Sequence, residues 1–143
     1  MYVATDRLDG LLSLVRERGG RVTTCRRAIL SELVAASSHL TADDLAELVQ
    51  RRHPDVHRST IYRSLGDLED LGIVDHVHLG HGRAVYHLAD DAHQHLVCES
   101  CGAVVEVPDD LFRPVADRML SDYGFHLRAG HFAVLGTCAN CAR

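Results

Sequence analysis

The sequence predicts an α+β fold, with an N-terminal winged helix-turn-helix domain followed by a small α/β domain that carries four paired cysteines. Three observations predict it. Apolar residues recur at helical spacing up to Gly72, they alternate from Ile73 onward, and two Cys-x-x-Cys pairs lie in the last third of the chain. A length of 143 residues is enough for one core or two small ones.

Four helices are predicted before Gly72, each with a start or stop signal. They are a helix near residues 5–18 that ends at Gly19-Gly20, one capped by Thr23 or Thr24, one capped by Thr41, and one that runs from Ser59 to Leu71. Acidic residues follow the Thr41 cap, and that helix ends at His53-Pro54.

The period changes from helix to strand after Gly72. Residues 73–79 and 84–88 alternate as two strands joined by a tight turn at 80–82, and three helices followed by such a hairpin are typical of a winged helix-turn-helix. The polar residues 89–94 are the best candidate for a hinge. We therefore predict domains at 1–88 and 95–143, separated by a hinge at 89–94.

The second domain is predicted to alternate strands with one helix. The expected strands are 95–98, 103–107, 125–127 and 131–136, and the helix begins at Asp109 or Asp110 and runs to about Tyr123 before Gly124. The Cys-x-x-Cys pairs follow strand-like runs, so sheet packing can bring them together.

Composition excludes several classes of protein. A hydrophobic fraction of 46% with 24% charged residues is that of a globular protein, and no apolar run is long enough to span a bilayer. The first residues lack the pattern of a signal peptide, so we expect a cytoplasmic protein without a membrane partner. A net charge of −5 disfavours a non-specific polyanion binder.

Four of the five cysteines form the pairs Cys98-x-x-Cys101 and Cys138-x-x-Cys141, with 36 residues between the pairs. Two such turns present four thiolates to one ion, which favours tetrahedral Zn²⁺. The alternatives are two redox motifs or cysteines buried as small apolar residues. A structural zinc is the favoured interpretation, because two such turns in one small domain are a strong signal of a zinc site. Such a site would stabilise a second domain that has little core of its own.

Histidine is the unusual residue: there are 11, and six lie between His76 and His95. His76 and His78 share one face of a predicted strand, and His93 and His95 do so at the start of the second domain. Imidazole is a good ligand for Ni²⁺, Zn²⁺ and Fe²⁺. Histidines around a hinge can couple metal binding to the orientation of the domains.

The chain resembles the ferric uptake regulator family over about residues 8–141. The resemblance rests on RVTTCRRAIL, HLTADDL, RSTIYRSLGDLEDLGIVDHV, VYHL, HQHLVCESCG and FAVLGTCANC, in this order. It implies a homodimeric, metal-dependent transcription regulator with an N-terminal winged-helix domain and a C-terminal α/β dimerisation domain. It also implies that the four paired cysteines hold the structural zinc.

The resemblance further implies a DNA-reading surface on the helix that begins at Ser59. The expected contacts to double-stranded DNA are made by Ser59, Thr60, Tyr62 and Arg63, with Arg21 and Arg26 near the backbone or minor groove. A helix that enters the major groove presents its first side chains to base edges, and arginine pairs with guanine through two hydrogen bonds. The family commonly has Pro-Gln where this chain has Thr24-Cys25.

Two regulatory metal sites are implied. The hinge site comprises His39, His87, His93, His95 and Glu106; the position of His87 is usually acidic in the iron and peroxide branches, so a histidine favours Ni²⁺ or Zn²⁺ over Fe²⁺. The motifs DHVHLGHG and GHFAVLG resemble the nickel-responsive branch, whose second site here is His76, His78 and His131. We therefore expect Ni²⁺ as the sensed ion, with Zn²⁺ and Fe²⁺ as alternatives.

The function predicted is a metal-dependent repressor that binds a DNA operator and takes no small-molecule substrate. The rival classes are a histidine-rich metallohydrolase, with Glu106 as its base, and a metal store or chaperone. We expect no enzyme, because Glu106 is better used as a ligand. Salt-sensitive DNA binding that depends on metal would separate the regulator from both.

Overall fold

Four helices precede a hairpin and a second sheet with one further helix, which confirms the predicted α+β class. The computed structural model describes residues 2–36, 39–80, 82–91, 93–128 and 133–142, without the side chains of residues 2 and 3. The chain divides into two units: Met1–Asp75 with Val85–Asp90, and His76–Ala84 with Asp91–Arg143. Among the described residues, no helix combines the length and apolar character needed to cross a bilayer.

The first unit contains the four N-terminal helices. They are α1 (Tyr2–Glu17), α2 (Thr24–Ala35), α3 (Ala42–Arg52) and α4 (Arg58–Asp70). Thr23 caps α2, since its hydroxyl oxygen accepts the Arg26 backbone N–H at 3.2 Å. Thr41 and Asp44 form a reciprocal capping box at the start of α3, as the sequence predicts for Thr41.

One apolar cluster lies between these helices. Each helix contributes buried side chains at helical spacing: Leu11, Leu12 and Val15 from α1; Ile29, Leu30 and Leu33 from α2; Leu45 and Val49 from α3; and Ile61, Leu65 and Leu68 from α4. Val74 and Leu88 of the strands that follow also belong to the cluster, as does Ile73 just before the first of them. The helical apolar stripes that the sequence shows are therefore the faces that form this core.

The side chain of Arg18, just after α1, caps the C-terminal end of α4. Its Nη1 donates to the carbonyl oxygens of Leu71 at 2.8 Å and Gly72 at 2.9 Å. A cation is favourable at this end of a helix, where carbonyl groups lack partners. Gly72 has φ +66°, so a side chain there would be strained, and the chain turns at this residue from helix to strand.

The first sheet has the strand order β1-β3-β2. Its strands are β1 (Leu40–Thr41), β2 (Val74–His78) and β3 (Ala84–Leu88), and β1 pairs antiparallel with β3 through Leu40↔Tyr86 and Thr41↔Val85. The sequence predicts β2 and β3 but not β1, which is only two residues long. His81, in the predicted turn at 80–82, lies outside the described residues.

The second unit is built on the sheet β5-β4-β6. Its strands are β4 (His93–Cys98), β5 (Val104–Pro108) and β6 (Ala133–Gly136); a 3-10 turn at Asp109–Phe112 leads into α5 (Arg113–Tyr123). β4 is antiparallel to β5 and parallel to β6. β4 begins at His93, inside the segment predicted as the hinge.

The predicted strand at 125–127 is wrong. Gly124 ends α5 in the left-handed conformation with φ +63°, and the Phe125 N–H donates to the Met119 carbonyl at 3.1 Å. This N–H closes the helix rather than joining a ladder, and no described strand pairs with residues 125–127. Residues 131–132 of the next predicted strand lie outside the described residues.

Candidate metal centres and nucleic-acid interface

Strand register brings the two Cys-x-x-Cys turns together. β4 and β6 run parallel with Cys98 opposite Gly136, so Cys138 emerges beside the end of β4. The Glu99 N–H donates to the Gly136 carbonyl at 2.9 Å, and the Cys138 N–H donates to the Cys98 sulfur at 3.3 Å. The sequence prediction that sheet packing unites the pairs is confirmed.

The four sulfur atoms match the geometry of a tetrahedral zinc site. The Sγ atoms of Cys98, Cys101, Cys138 and Cys141 all lie within 4.8 Å of one another. The Sγ atoms of Cys101 and Cys138 are 3.8 Å apart, and Zn–S bonds of about 2.3 Å set tetrahedral S···S edges of about 3.8 Å. The donor set therefore fits a structural Zn²⁺.

Backbone N–H groups stabilise the thiolate form of one cysteine in this cluster. Hydrogen bonds from the N–H groups of Cys138 and Cys101 lower the pKa of Cys98 to about 6. Hydrogen bonding with Cys138 and Cys101 raises the pKa of Cys141 to about 12, because these neighbours favour its protonated form. A bound dication would reverse that preference, since metal ligation requires thiolates.

A second cluster lies on the other pair of strands of the same sheet. β4 and β5 place His95 directly opposite Glu106, and His93 projects from the same face two residues before His95. Metal-ligating atoms of His93, His95 and Glu106 lie within 4.8 Å of one another. His95 is 2% exposed, so its imidazole is held in one place by the surrounding protein.

The hydrogen bond of His93 selects the tautomer that suits metal binding. Its Nδ1 is 2.7 Å from the Asp91 carbonyl oxygen, which can only accept, so Nδ1 carries the proton. The metal-binding lone pair is then on Nε2, which is 4.0 Å from Oε1 of Glu106. Two nitrogens and one carboxylate fit a divalent transition metal.

The remaining predicted metal ligands are distributed as follows. His39 precedes β1 and His87 lies on β3, both half-buried in the first unit, and Nδ1 of His87 is 3.1 Å from the Leu88 carbonyl oxygen. His76 and His78 lie on β2 with ring centroids 5.5 Å apart, as expected for alternate residues of a strand. His131 lies outside the described residues.

The residues predicted to read DNA lie in the first two turns of α4. Ser59, Thr60, Tyr62 and Arg63 are all exposed there. Arg58 is also exposed and donates to Asp43 at 3.0 Å, which raises the pKa of Arg58. This helix start therefore offers two guanidinium groups, two hydroxyls and one phenol to solvent.

Arg26 is committed to contacts inside the first unit. Its Nη2 donates to Asp67 of α4 at 2.6 Å and its Nη1 to the Arg21 carbonyl at 2.7 Å, with the side chain only 15% exposed. Arg21 itself is exposed. A direct DNA contact by either arginine stays a prediction.

Sequence reasoning missed Asp43, which it treated only as an acid in a first helical turn. The carboxylate accepts from both Arg58 and the Tyr62 hydroxyl, and both donors use Oδ1. The available signal was the spacing of Arg58 and Tyr62, which places both on one face of a helix. What the sequence does not show is that the start of α3 meets that face.

The helical unit with its exposed helix start and the two ligand clusters are features that a metal-dependent DNA-binding protein requires, and comparisons with known proteins agree. The model of the ferric uptake regulator family matches residues 17–134. The ferric uptake regulation protein of Bacillus subtilis is 30% identical over 141 residues, 95% of each chain. The peroxide-responsive repressor PerR of Staphylococcus saprophyticus is 28% identical over 134 residues, 94% of this chain and 90% of its own.

A solved structure extends the likeness. The ferric uptake regulator from Pseudomonas aeruginosa, determined with manganese, is 31% identical with a TM-score of 0.72, and the match covers 89% of this chain and 96% of that one. The chain belongs to the ferric uptake regulator family and is a metal-responsive regulator.

Membership of this family decides between the classes of protein that the sequence left open. Family members are transcription regulators rather than enzymes, so the metallohydrolase alternative is excluded. The relatives described are named for ferric uptake and peroxide response, and the structure of one contains manganese. The nickel-responsive branch therefore stays a prediction.

Proposed function

We propose that this protein is a metal-dependent repressor that binds a double-stranded DNA operator as a homodimer. The observation that carries the proposal is the ligand set His93, His95 and Glu106 on one face of the second sheet, in a chain whose α4 exposes the residues predicted to contact DNA. The repressor PerR, a relative over 94% of this chain, supports repression as the outcome.

The regulatory ion is proposed to bind at His93, His95 and Glu106. A divalent cation would supply the charge that draws these three side chains together. The sequence predicts His39 and His87 as further ligands from the first unit, and their participation would link metal occupancy to the unit that reads DNA. Apoprotein is expected to bind the operator weakly.

We propose Ni²⁺ as the sensed ion, with Zn²⁺ and Fe²⁺ as alternatives. Nitrogen ligands outnumber oxygen in the predicted set, which favours Ni²⁺ and Zn²⁺ over Fe²⁺. His76 and His78 lie together on β2 and are proposed to form a second nickel site with His131. Zn²⁺ is proposed as the structural ion of the four cysteines.

Homodimer formation is proposed through the second unit. β5 is an edge strand of its sheet, and an apolar edge readily pairs with another chain. Every α5 residue is at least partly exposed, although the helix is amphipathic. The exposed large apolar residues of this unit are Val104, Val105, Leu111, Val115, Leu120, Tyr123, Phe125 and Leu135. A second copy of this chain would cover these exposed apolar side chains.

DNA binding titrated with metal tests the proposal. A duplex is selected from a randomised pool with nickel-loaded protein, and gel shifts are then compared with chelator, Ni²⁺, Zn²⁺, Mn²⁺ and Fe²⁺. We expect the shift to disappear in chelator and to return with the sensed ion. Equal binding in all lanes would contradict metal dependence.

Variants assign the effect to the site. His93→Ala is expected to fold and bind zinc at the cysteines but to lose the response of DNA binding to metal. His126→Ala removes an exposed histidine of the same unit and should keep the response. The same loss in both variants would contradict the assignment.

A further inference from the structure

Asp43 joins two side chains of the surface proposed to read DNA. Arg58 and Tyr62 are four residues apart on α4, so they lie on one face of the helix. Nη2 of Arg58 donates to Oδ1 of Asp43 at 3.0 Å, and the Tyr62 hydroxyl donates to the same oxygen. One carboxylate oxygen of α3 therefore holds two donors of α4.

This arrangement adds little to the stability of the first unit, because its side chains are exposed. The side chains of Arg58 and Asp43 are 44% and 48% exposed, and Tyr62 is 40% exposed. Exposed ion pairs contribute between nothing and about 1 kcal/mol to stability. The start of α3 is already capped by Thr41 and Asp44. An exposed acid on a DNA-facing surface therefore requires another explanation.

The negative charge of Asp43 lowers the affinity of this surface for DNA. A carboxylate beside phosphates is repulsive, and it occupies the guanidinium of Arg58, which would otherwise neutralise a phosphate. In return, the phenol of Tyr62 is kept in one orientation before DNA arrives. Because the Tyr62 side chain loses its conformational freedom before binding, DNA sequences that fit its fixed orientation are favoured over sequences that do not.

We propose that Asp43 is a positioning residue that sets DNA specificity, because it holds Tyr62 in its reading orientation and withholds Arg58 from sequence-independent phosphate contacts. The inference rests on the proposed function, in which α4 reads DNA. It assigns to Asp43 a gain in discrimination together with a loss of affinity. Asp43 thereby weakens the binding of non-specific DNA more than that of the specific operator.

Two substitutions at Asp43 separate the two parts of this role. Asp43→Ala removes both contacts; it should tighten binding to a random-sequence duplex, steepen the salt dependence by up to about one unit of log–log slope, and lower the specific-to-random affinity ratio about tenfold. Asp43→Asn keeps an oxygen that can accept from Tyr62 but loses the charge. It should reproduce the salt effect with a smaller loss of discrimination.

Tyr62→Phe connects the effect to the hydroxyl. If Asp43 acts through Tyr62, Asp43→Ala and Tyr62→Phe should lower the affinity ratio less than additively when they are combined. Asp9→Asn removes one exposed acid from α1 and serves as the charge control, with the ratio unchanged. Thermal unfolding of each variant should stay near that of the wild type.

The outcomes distinguish the inference from the function on which it rests. The probes are a duplex selected from a randomised pool by metal-loaded wild-type protein and a random duplex of equal length. Wild-type protein that shows no preference between them would overturn both. Wild-type preference with an unchanged ratio in Asp43→Ala, or the same change in Asp9→Asn, would overturn the role of Asp43 alone.

Discussion

Arg26 of α2 and Asp67 of α4 form an ion pair with 2.6 Å between Nη2 and Oδ2. The same guanidinium donates to the Arg21 carbonyl, so it joins the segment before α2 to the last turn of α4. Arg26 therefore acts on the proposed DNA-reading helix from within the protein.

Arg26→Ala should lower the free energy of unfolding by about 1 kcal/mol, since Asp67 loses a charged partner while remaining partly in water. Urea unfolding followed by circular dichroism measures it. Arg27→Ala removes the exposed neighbouring arginine and should have little effect. Equal destabilisation in both variants would show that the ion pair does not stabilise the unit.

Thr41→Ala should destabilise the first unit by about 1 kcal/mol, because the variant loses the hydroxyl that caps α3. Thr41→Ser keeps that hydroxyl and should retain most of the stability. Urea midpoints of the two variants and the wild type provide the comparison. A Thr41→Ser variant as unstable as Thr41→Ala would argue against the cap as the source.

Chelation of zinc, or Cys98→Ser, should unfold the second unit and leave the helices of the first largely intact. The second unit buries few apolar side chains in the described chain, so its stability depends on the cysteine site. Elemental analysis and limited proteolysis should report zinc loss together with cleavage after residue 91. Cys25→Ser alters a buried cysteine outside the cluster and should keep the zinc.

Val105→Asp should shift the protein from dimer to monomer, since Val105 is 52% exposed on the edge strand β5. A charge on an edge opposes pairing with a second chain. Sedimentation across a range of concentrations measures the change. Asp110→Asn, on the turn that follows β5, is the control and should remain dimeric.

His76→Ala combined with His78→Ala should remove one class of bound Ni²⁺ while zinc content stays unchanged. Both imidazoles lie on β2, and imidazole is the preferred nitrogen ligand of Ni²⁺. Calorimetric titration with Ni²⁺ counts the sites. Unaltered nickel stoichiometry would rule out this pair as ligands.

Local signals in the sequence predicted the helices of the first unit closely. The hydroxyl of Thr41, the acid at Asp44 and the stop at Gly72 each act on residues nearby in the chain, so their effect can be deduced from the sequence alone. The Cys98 and Cys138 pairs were equally predictable, because one tetrahedral ion imposes their spacing.

Contacts between distant segments were not predictable in the same way. β1 is only two residues long and is a strand because it pairs with β3. Residues 125–127 show the alternation of a strand, but none of the described strands pairs with them. Gln94 lies in the polar segment predicted as the hinge, whereas it is 2% exposed and donates to Asp109 at 2.7 Å. Such pairings depend on tertiary structure rather than on local pattern.

The two hydrogen bonds from Arg18, just after α1, to the carbonyls of Leu71 and Gly72 connect the end of α1 to the end of the helix proposed to read DNA. An amino-terminal truncation that ends beyond residue 18 would expose the last turn of α4 to fraying and release the strand that leaves it. The opening segment of the chain thus governs how rigidly the helix at residues 58–70 is presented.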